Sequence, residues 1–261
     1  MIDIHCHIIP GVDDGVPTVD EAIALIRKEV NGGTEAFIAT PHFIDRRDYD
    51  RLKNIHELVA QLTQAVTEAG IRVEIYQGGE IYPTMAAVKA YDAGTPMTLA
   101  GKQKHMLVDL PMGTLPNDFD LILYELQVRG ISPILAHPER NGHFQDKLSH
   151  LREYLDRGIA CQVNAGSLAG KYGTRAGEVA RIILRRRWAH FLSSDAHRAG
   201  GSAIMGSARA ALKKELDDSY LDIITQGSAE AVIRGDTLPQ LPEAPPEPEA
   251  KGWLSSIFRK K

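Results

Sequence analysis

Seven times between residue 2 and about residue 230, a short run of apolar and β-branched residues is followed by a longer amphipathic stretch. This alternation constrains the fold most, because strands separated by helix-length segments run parallel and are covered by those helices. The runs lie near residues 2–5, 35–39, 72–77, 105–110, 131–136, 159–163 and 189–193, and the helical patterns near 19–31, 48–69, 84–92, 118–129, 146–157, 174–187 and 203–226. In the first helix Thr18-Val19-Asp20-Glu21 reads as a capping box, and Ala22, Ile23, Ile26 and Val30 form one apolar stripe. Gly70, Gly94, Gly130 and Gly158 stand where helix C-termini favour glycine. Seven βα units favour an α/β fold closed as a seven-stranded barrel; an open doubly wound sheet satisfies the same alternation.

At 261 residues and 43% hydrophobic composition, the chain has the material for one large catalytic domain, expected over residues 1–235. Thirty Lys and Arg against 34 Asp and Glu leave a formal net charge of -4, which does not mark a nucleic-acid binder. The opening Met1-Ile-Asp-Ile-His5 has neither the charged nor the apolar region of a secretory signal, so the cytoplasm is the expected location. Cys6 and Cys161 are too few for a disulfide framework and are not in zinc-knuckle spacing. Residues 236–252 are rich in Pro and Glu and read as a semi-extended linker. Beyond it, in 253–261, Trp253, Leu254, Ile257 and Phe258 fall at helical spacing before three cations. That tail reads either as a solubilising end or as an anchor to anionic lipid or a partner groove, and it is too short to span a bilayer.

In parallel α/β barrels the C-terminal strand ends converge on one open face. The residues just after the predicted strands are His5 and His7, His42, Glu80, Asp109, His137, and Asp195 with His197; the loop Gly11-Val-Asp-Asp-Gly15 adds Asp14. A single His after a strand is more often a hydrogen-bonded loop residue than a ligand. Here five of the ten histidines occupy equivalent places in separate units, and the other polar positions there are carboxylates. His5 and His7 alternate across an extended strand, so both imidazoles face one side and Cys6, a small core residue, faces the other. Imidazole and carboxylate without thiolate suit Mn²⁺, Fe²⁺ or Zn²⁺, and nine ligands imply two or three ions. Paired metals with a bridging carboxylate such as Glu80 are a standard device for phosphoryl transfer. Arg140 follows His137 closely enough to offer its guanidinium fork to a phosphate; the competing reading is a salt bridge to Glu139. Arg46, Arg47, Arg175 and Arg198 also follow strand ends and read better as solvated surface charges.

Asp3-Ile-His-Cys-His7, Thr40-Pro-His42, Gly79-Glu-Ile-Tyr82, Ala136-His-Pro-Glu-Arg140 and Ser194-Asp-Ala-His197 resemble the polymerase and histidinol phosphatase (PHP) superfamily over nearly all of residues 1–235. Within it, the His7-Ile-Ile-Pro-Gly-Val-Asp-Asp-Gly15 segment, Gly78-Gly-Glu-Ile-Tyr82 and His137-Pro-Glu-Arg140 are similar to the bacterial manganese-dependent tyrosine-protein phosphatases of capsule and exopolysaccharide operons. The resemblance implies a distorted seven-stranded barrel with three metals, most often Mn²⁺. It implies His5, His7, Glu80 and Asp195 at the first ion, Glu80, Asp109 and His137 at the second, and Asp14, His42 and His197 at the third. Arg140 would bind phosphate. Other superfamily members carry a histidine where this chain has Asp109, which is therefore either a ligand or a proton donor. The implied reaction is in-line attack by metal-bound hydroxide on phosphotyrosine, without a phosphoenzyme. The implied partner is a membrane-associated bacterial tyrosine kinase that regulates polysaccharide synthesis, with the enzyme cytoplasmic or peripheral to the membrane.

Cysteine-dependent tyrosine phosphatases place an arginine six positions after the nucleophile. Here those positions hold Val12 and Ser167, so that route is excluded. Two alternatives remain: a histidinol-phosphate or other small-molecule phosphatase sharing the metal constellation, and a noncatalytic PHP module stabilised by metals. The free-standing length, acidic balance and intact ligand set argue against the second.

Overall fold

The computed structural model describes residues 1–246. All strand pairings are parallel, in two sheets. Strands β1 (Ile2–Cys6), β2 (Ala36–Ala39) and β4 (Glu74–Gln77) form the first in the order β1-β2-β4. The second runs β3 (His42–Phe43), β5 (Glu80–Ile81), β6 (His105–Val108), β7 (Ser132–Ala136), β8 (Ala160–Asn164) and β9 (Phe191–Ser193). The last strand meets the first: Asp195 N donates to His5 O at 2.9 Å and His7 N to Ala196 O at 3.0 Å.

The strands expected near 35–39 and 72–77 are present as β2 and β4, and each is followed by a short further strand that the sequence pattern did not show. Thr40-Pro41 separates β2 from β3, and Gly78-Gly79 separates β4 from β5. Each break lets the chain leave one sheet and enter the other. Thr40 Oγ1 accepts from Cys6 N at 3.1 Å, and Glu80 N donates to Pro41 O at 3.0 Å. The second break requires glycine: a Cβ on Gly79 would stand 2.6 Å from ring atoms of Phe43, and one on Gly78 2.7 Å from Ile38 Cγ2.

A bulge in β1 between Asp3 and Cys6 sets the orientation of the first two histidines. Ile2 and Ile4 join the inner apolar cluster made by the strands, with Ile38, Leu107, Ile134 and Phe191. Cys6 belongs to the outer cluster between strands and helices, with Leu25, Ile26 and Phe37. Strict alternation would put Ile4 and Cys6 on one face. The extra residue of the bulge re-phases the strand, so that its lower half fills the interior and its upper half presents His5 and His7. Asp3 Oδ1 accepts from His5 N at 3.2 Å and Ser194 N at 3.1 Å, satisfying backbone there.

The covering helices are α1 (Val19–Asn31), α2 (Arg46–Arg51), α3 (Ile55–Glu68), α4 (Met85–Asp92), α5 (Phe119–Val128), α6 (Gly142–Asp146), α7 (Leu148–Asp156), α8 (Ala165–Leu168), α9 (Thr174–Arg185), α10 (Ile204–Leu212), α11 (Asp218–Asp222) and α12 (Ser228–Arg234). Of the capping box expected at α1 the structure gives the Thr18 half, its side chain accepting from Glu21 N at 3.2 Å. The helix expected over 48–69 is two helices broken at Leu52-Lys53-Asn54. The one expected over 203–226 breaks at Asp217, whose Oδ1 accepts from Tyr220 N at 3.0 Å and starts α11. Residues 236–246 form no helix or strand, yet they are not free. Lys104 Nζ donates to Thr237 Oγ1 at 3.3 Å, and Leu238 and Leu241 pack on the two apolar clusters. This segment and the N-terminal ends of β6 to β9 line a cavity of about 610 Å³. The tail at 253–261 lies outside the described residues. Among the described residues no helix is long and apolar enough to cross a membrane.

Gly79→Ala drives a methyl against Phe43 one residue before Glu80. It is expected to lower stability in urea denaturation by about 1–3 kcal/mol, and to reduce bound metal; an unchanged midpoint and metal content would contradict the tight strand crossing.

Candidate metal centre

The C-terminal strand ends bring together all nine residues singled out in the sequence. His42 and Glu80 are register partners across β3 and β5. Glu80, 1% exposed, sits among imidazoles from three strand ends. Its Oε2 is 3.2 Å from His5 Nε2, 3.3 Å from His7 Nε2 and 3.0 Å from His42 Nδ1, and its Oε1 is 3.2 Å from His137 Nε2.

His5 Nε2, His7 Nε2, Glu80 Oε2 and Asp195 Oδ1 form one knot. The two nitrogens are 3.3 Å apart, and each lies 3.5 Å from Asp195 Oδ1. Four donors holding one ion tetrahedrally at about 2.0–2.2 Å would be roughly 3.3–3.6 Å apart. A second group joins Glu80 Oε1, His137 Nε2 and Asp109 Oδ1, the last two 3.6 Å apart. A third gathers round Asp14 Oδ1, 3.5 Å from His42 Nε2 and 3.4 Å from His197 Nε2, with His7 within reach. His42 also approaches Glu80 and Asp109, so it lies between the second and third groups.

Hydrogen bonding among these groups, such as that between His137 Nε2 and Glu80 Oε1, leaves several of their atoms unsatisfied. Glu80 Oε2, His42 Nδ1 and His137 Nδ1 are buried and lack a hydrogen-bond partner. Lone-pair donors converging on common points, with polar atoms left orphaned, fit divalent cations. The proton balance agrees. Burial opposes charge on His5, but Glu80 and Asp195 outweigh it and raise its pKa to about 9. Burial alone would raise the Glu80 pKa, yet the charge of His5 and the close approach of His137 and His42 hold it well below the usual carboxylate range. The pocket demands positive charge, which protons or metal ions can supply. Burial and the Glu80 charge raise the Asp109 carboxyl to about 6.

Neighbours with no motif of their own in the sequence fix the ring orientations. Asp13 Oδ2 accepts from His7 Nδ1 at 2.7 Å and from His42 N at 3.2 Å, while its Oδ1 accepts from Gly15 N at 2.9 Å. Gln162 Oε1 accepts from His5 Nδ1 at 3.0 Å. His197 Nδ1 donates to Asp195 O at 3.0 Å. Each bond reserves the opposite nitrogen for an ion. Asn164 receives Gln162 Nε2 at 2.7 Å and donates to Asp195 Oδ2 at 2.7 Å. The adjacent Asp13-Asp14 pair was the one available signal; Gln162 and Asn164, on the strand end that held no His or carboxylate, gave none. His137 and Asp195 have φ of 35° and 49°, a left-handed geometry uncommon outside glycine and frequent at functional sites.

Arg140, in a 3-10 turn (Pro138–Arg140), reaches the cluster but does not pair with Glu139. Glu139 is fully buried and accepts from Ser167 Oγ at 2.6 Å and Asn164 N at 3.0 Å. Arg140 Nη1 donates to Asp195 Oδ2 at 2.5 Å. Among the described residues its buried Nε–H has no acceptor, and Nη2 meets only the Met112 sulfur at 3.9 Å, so these two donors are uncommitted. The other arginines stay out of the cluster. Arg46 pairs with Asp50, Arg47 with Asp45 and Arg175 with Asp146, whereas Arg198 holds the carbonyls of Asp14, Gly15 and His197 and braces the Asp14 loop. Cys6 and Cys161 are fully buried, with burial raising both thiols.

The family model for capsular polysaccharide synthesis proteins CpsB/CapC matches residues 1–234. Tyrosine-protein phosphatase YwqE of Bacillus subtilis is 30% identical over 259 residues, covering 99% of this chain and 100% of that one. The putative tyrosine-protein phosphatase CapC of Staphylococcus aureus is 29% identical over 76% of this chain and 77% of its own. Crystallographic work on YwqE from B. subtilis and CpsB from Streptococcus pneumoniae, described as metal-dependent tyrosine phosphatases, supplies a chain with a TM-score of 0.84 and 29% identity, covering 94% of this chain and 99% of that one. An amidohydrolase from Mycoplasma synoviae, 12% identical with a TM-score of 0.56 over 98% of this chain and 93% of its own, shares the fold.

Asp13→Ala removes the acceptor that orients His7. It is expected to weaken divalent-metal binding about 10–100-fold in calorimetric titration, and unchanged affinity would remove Asp13 from the site.

Proposed function

The chain belongs to the CpsB/CapC family of capsular polysaccharide synthesis proteins, and from that premise we propose that it is a metal-dependent protein-tyrosine phosphatase. The observation that carries this reading is the convergence of imidazole and carboxylate donors on Glu80, with the uncommitted Nε and Nη2 donors of Arg140 beside them. In this reading β2 with β3 and β4 with β5 are each one interrupted strand, giving a distorted seven-stranded barrel. His5, His7, Glu80 and Asp195 hold a first ion, Glu80, Asp109 and His137 a second, and Asp14, His42 and His197 a third, with Mn²⁺ suited to the donor set.

When bound, the ions would acidify a water near neutral pH and offset charge on the phosphate oxygens. The chain's own groups do the rest. Arg140 receives the phosphate on its Nε and Nη2 edge while Asp195 holds Nη1. Asp109 either ligates the second ion or, left unligated, donates a proton to the leaving oxygen. A phenolate, of conjugate-acid pKa about 10, needs little such help. No cysteine takes part.

The family's association with capsular polysaccharide synthesis supports a substrate in that process, and we assign it as a phosphorylated tyrosine kinase at the membrane. The enzyme would then work in the cytoplasm, at or near the membrane's inner face, with residues 253–261 as a contact to lipid or partner.

Metal-stripped protein resupplied with Mn²⁺ is expected to hydrolyse a phosphotyrosine peptide in preference to phosphoserine and histidinol phosphate. His137→Ala and Arg140→Ala should each lower kcat/KM by about 10²-fold or more. Preference for histidinol phosphate would transfer the same site to a small-molecule substrate; no activity with any divalent ion would overturn the catalytic reading.

A further inference from the structure

The βα loop after β8 carries a residue that neither the motifs nor the ligand geometry assigns. Tyr172, half-buried, lies between α8 and α9, and the Arg140 guanidinium carbon stands 3.9 Å from the centre of its ring. Its hydroxyl donates to Asp195 Oδ2 at 3.3 Å, the same oxygen that receives Arg140 Nη1 at 2.5 Å. The arginine therefore has one strong partner at one corner and an aromatic face against its plane.

Resting on the reading of Arg140 as the phosphate-binding group, we propose that Tyr172 is a positioning residue that holds the guanidinium plane so that its Nε and Nη2 edge meets the phosphate. An arginine side chain tethered only through Nη1 keeps freedom to swing about that contact. Stacking on an aromatic ring removes the swing without using any N–H, leaving the donor fork whole. Asp195 would ligate through Oδ1 and hold Arg140 through Oδ2, so phosphate recognition and the metal knot share one carboxylate. The ring's contribution belongs to binding of the phosphate group, whatever leaving group it carries.

The test uses full-length, metal-loaded protein, with p-nitrophenyl phosphate as substrate and inorganic phosphate as competing ligand. Tyr172→Leu should raise both KM and the phosphate inhibition constant about tenfold, with kcat within about threefold, while Tyr172→Phe, which keeps the ring, stays within about twofold of wild type. In an Arg140→Lys background, Tyr172→Leu should add less than about a twofold effect, because the stacked group is gone. The proposal is overturned if Phe is as impaired as Leu, which would assign the effect to the hydroxyl bond with Asp195. It is equally overturned if the Leu effect persists without Arg140, or if Leu changes neither constant. Should Tyr172→Leu fail to fold, Tyr172→Trp decides: a stacking role keeps its phosphate inhibition constant within about threefold, and a tenfold loss contradicts it. Failure of the tyrosine-phosphatase reading is seen separately, as wild type that hydrolyses p-nitrophenyl phosphate but refuses the phosphotyrosine peptide, with the phosphate constants still measurable.

Discussion

A carboxylate buried as completely as Glu80 cannot persist as an isolated anion, because desolvation costs far more than folding can spare. Its two oxygens face imidazole nitrogens of His5, His7, His42 and His137. The rest of the active end is arranged round the need to supply positive charge at this point. Protonated imidazoles meet that need without metal, and divalent ions meet it better, since they also satisfy lone pairs that hydrogen bonds leave orphaned. Because Oε1 and Oε2 serve different groups of donors, one side chain couples sites that would otherwise be independent.

The parallel α/β architecture makes such a convergence attainable. Parallel strands bring their C-terminal ends to one face, but ideal strands would not point every ligand correctly. The β1 bulge turns His5 and His7 inward, the Gly78-Gly79 crossing delivers Glu80, and left-handed backbone at His137 and Asp195 aims two further ligands. Each departure from regular geometry costs some stability, which the two apolar clusters offset. The βα unit that contributes no ligand supplies support: Gln162 orients His5, Asn164 and Tyr172 hold Asp195, and Ser167 and the Asn164 amide anchor Glu139 beneath Arg140.

The convergence of the nine histidines and carboxylates was legible because such residues after successive strands are rare by chance and share one physical destination. The alternation of strands and helices was legible for the same periodic reason. What escaped has no such signature. An amide such as Gln162 or a phenol such as Tyr172 looks the same in sequence whether it faces solvent or an imidazole. Asp13 was obscured by Asp14, its equal in chemistry. The Gly78-Gly79 crossing depends on close approaches to Phe43 and Ile38 that no local pattern announces, and the bulge in β1 between Asp3 and Cys6 re-phases the strand while His5, Cys6 and His7 alternate as their sequence implies. Arg140 was identified, but its partner is the distant Asp195, because Glu139 next to it is taken up by the β8 end.

The most direct test of the central role of Glu80 is the metal content per chain of wild type and Glu80→Gln after equilibration with Mn²⁺, measured by elemental analysis on protein shown to be folded. If Glu80 joins the sites through both oxygens, wild type holds at least two ions and the substitution removes more than one of them together. Retention of the full complement by Glu80→Gln would contradict the account, leaving the carboxylate as a buried hydrogen-bonding group beside a centre that does not depend on it.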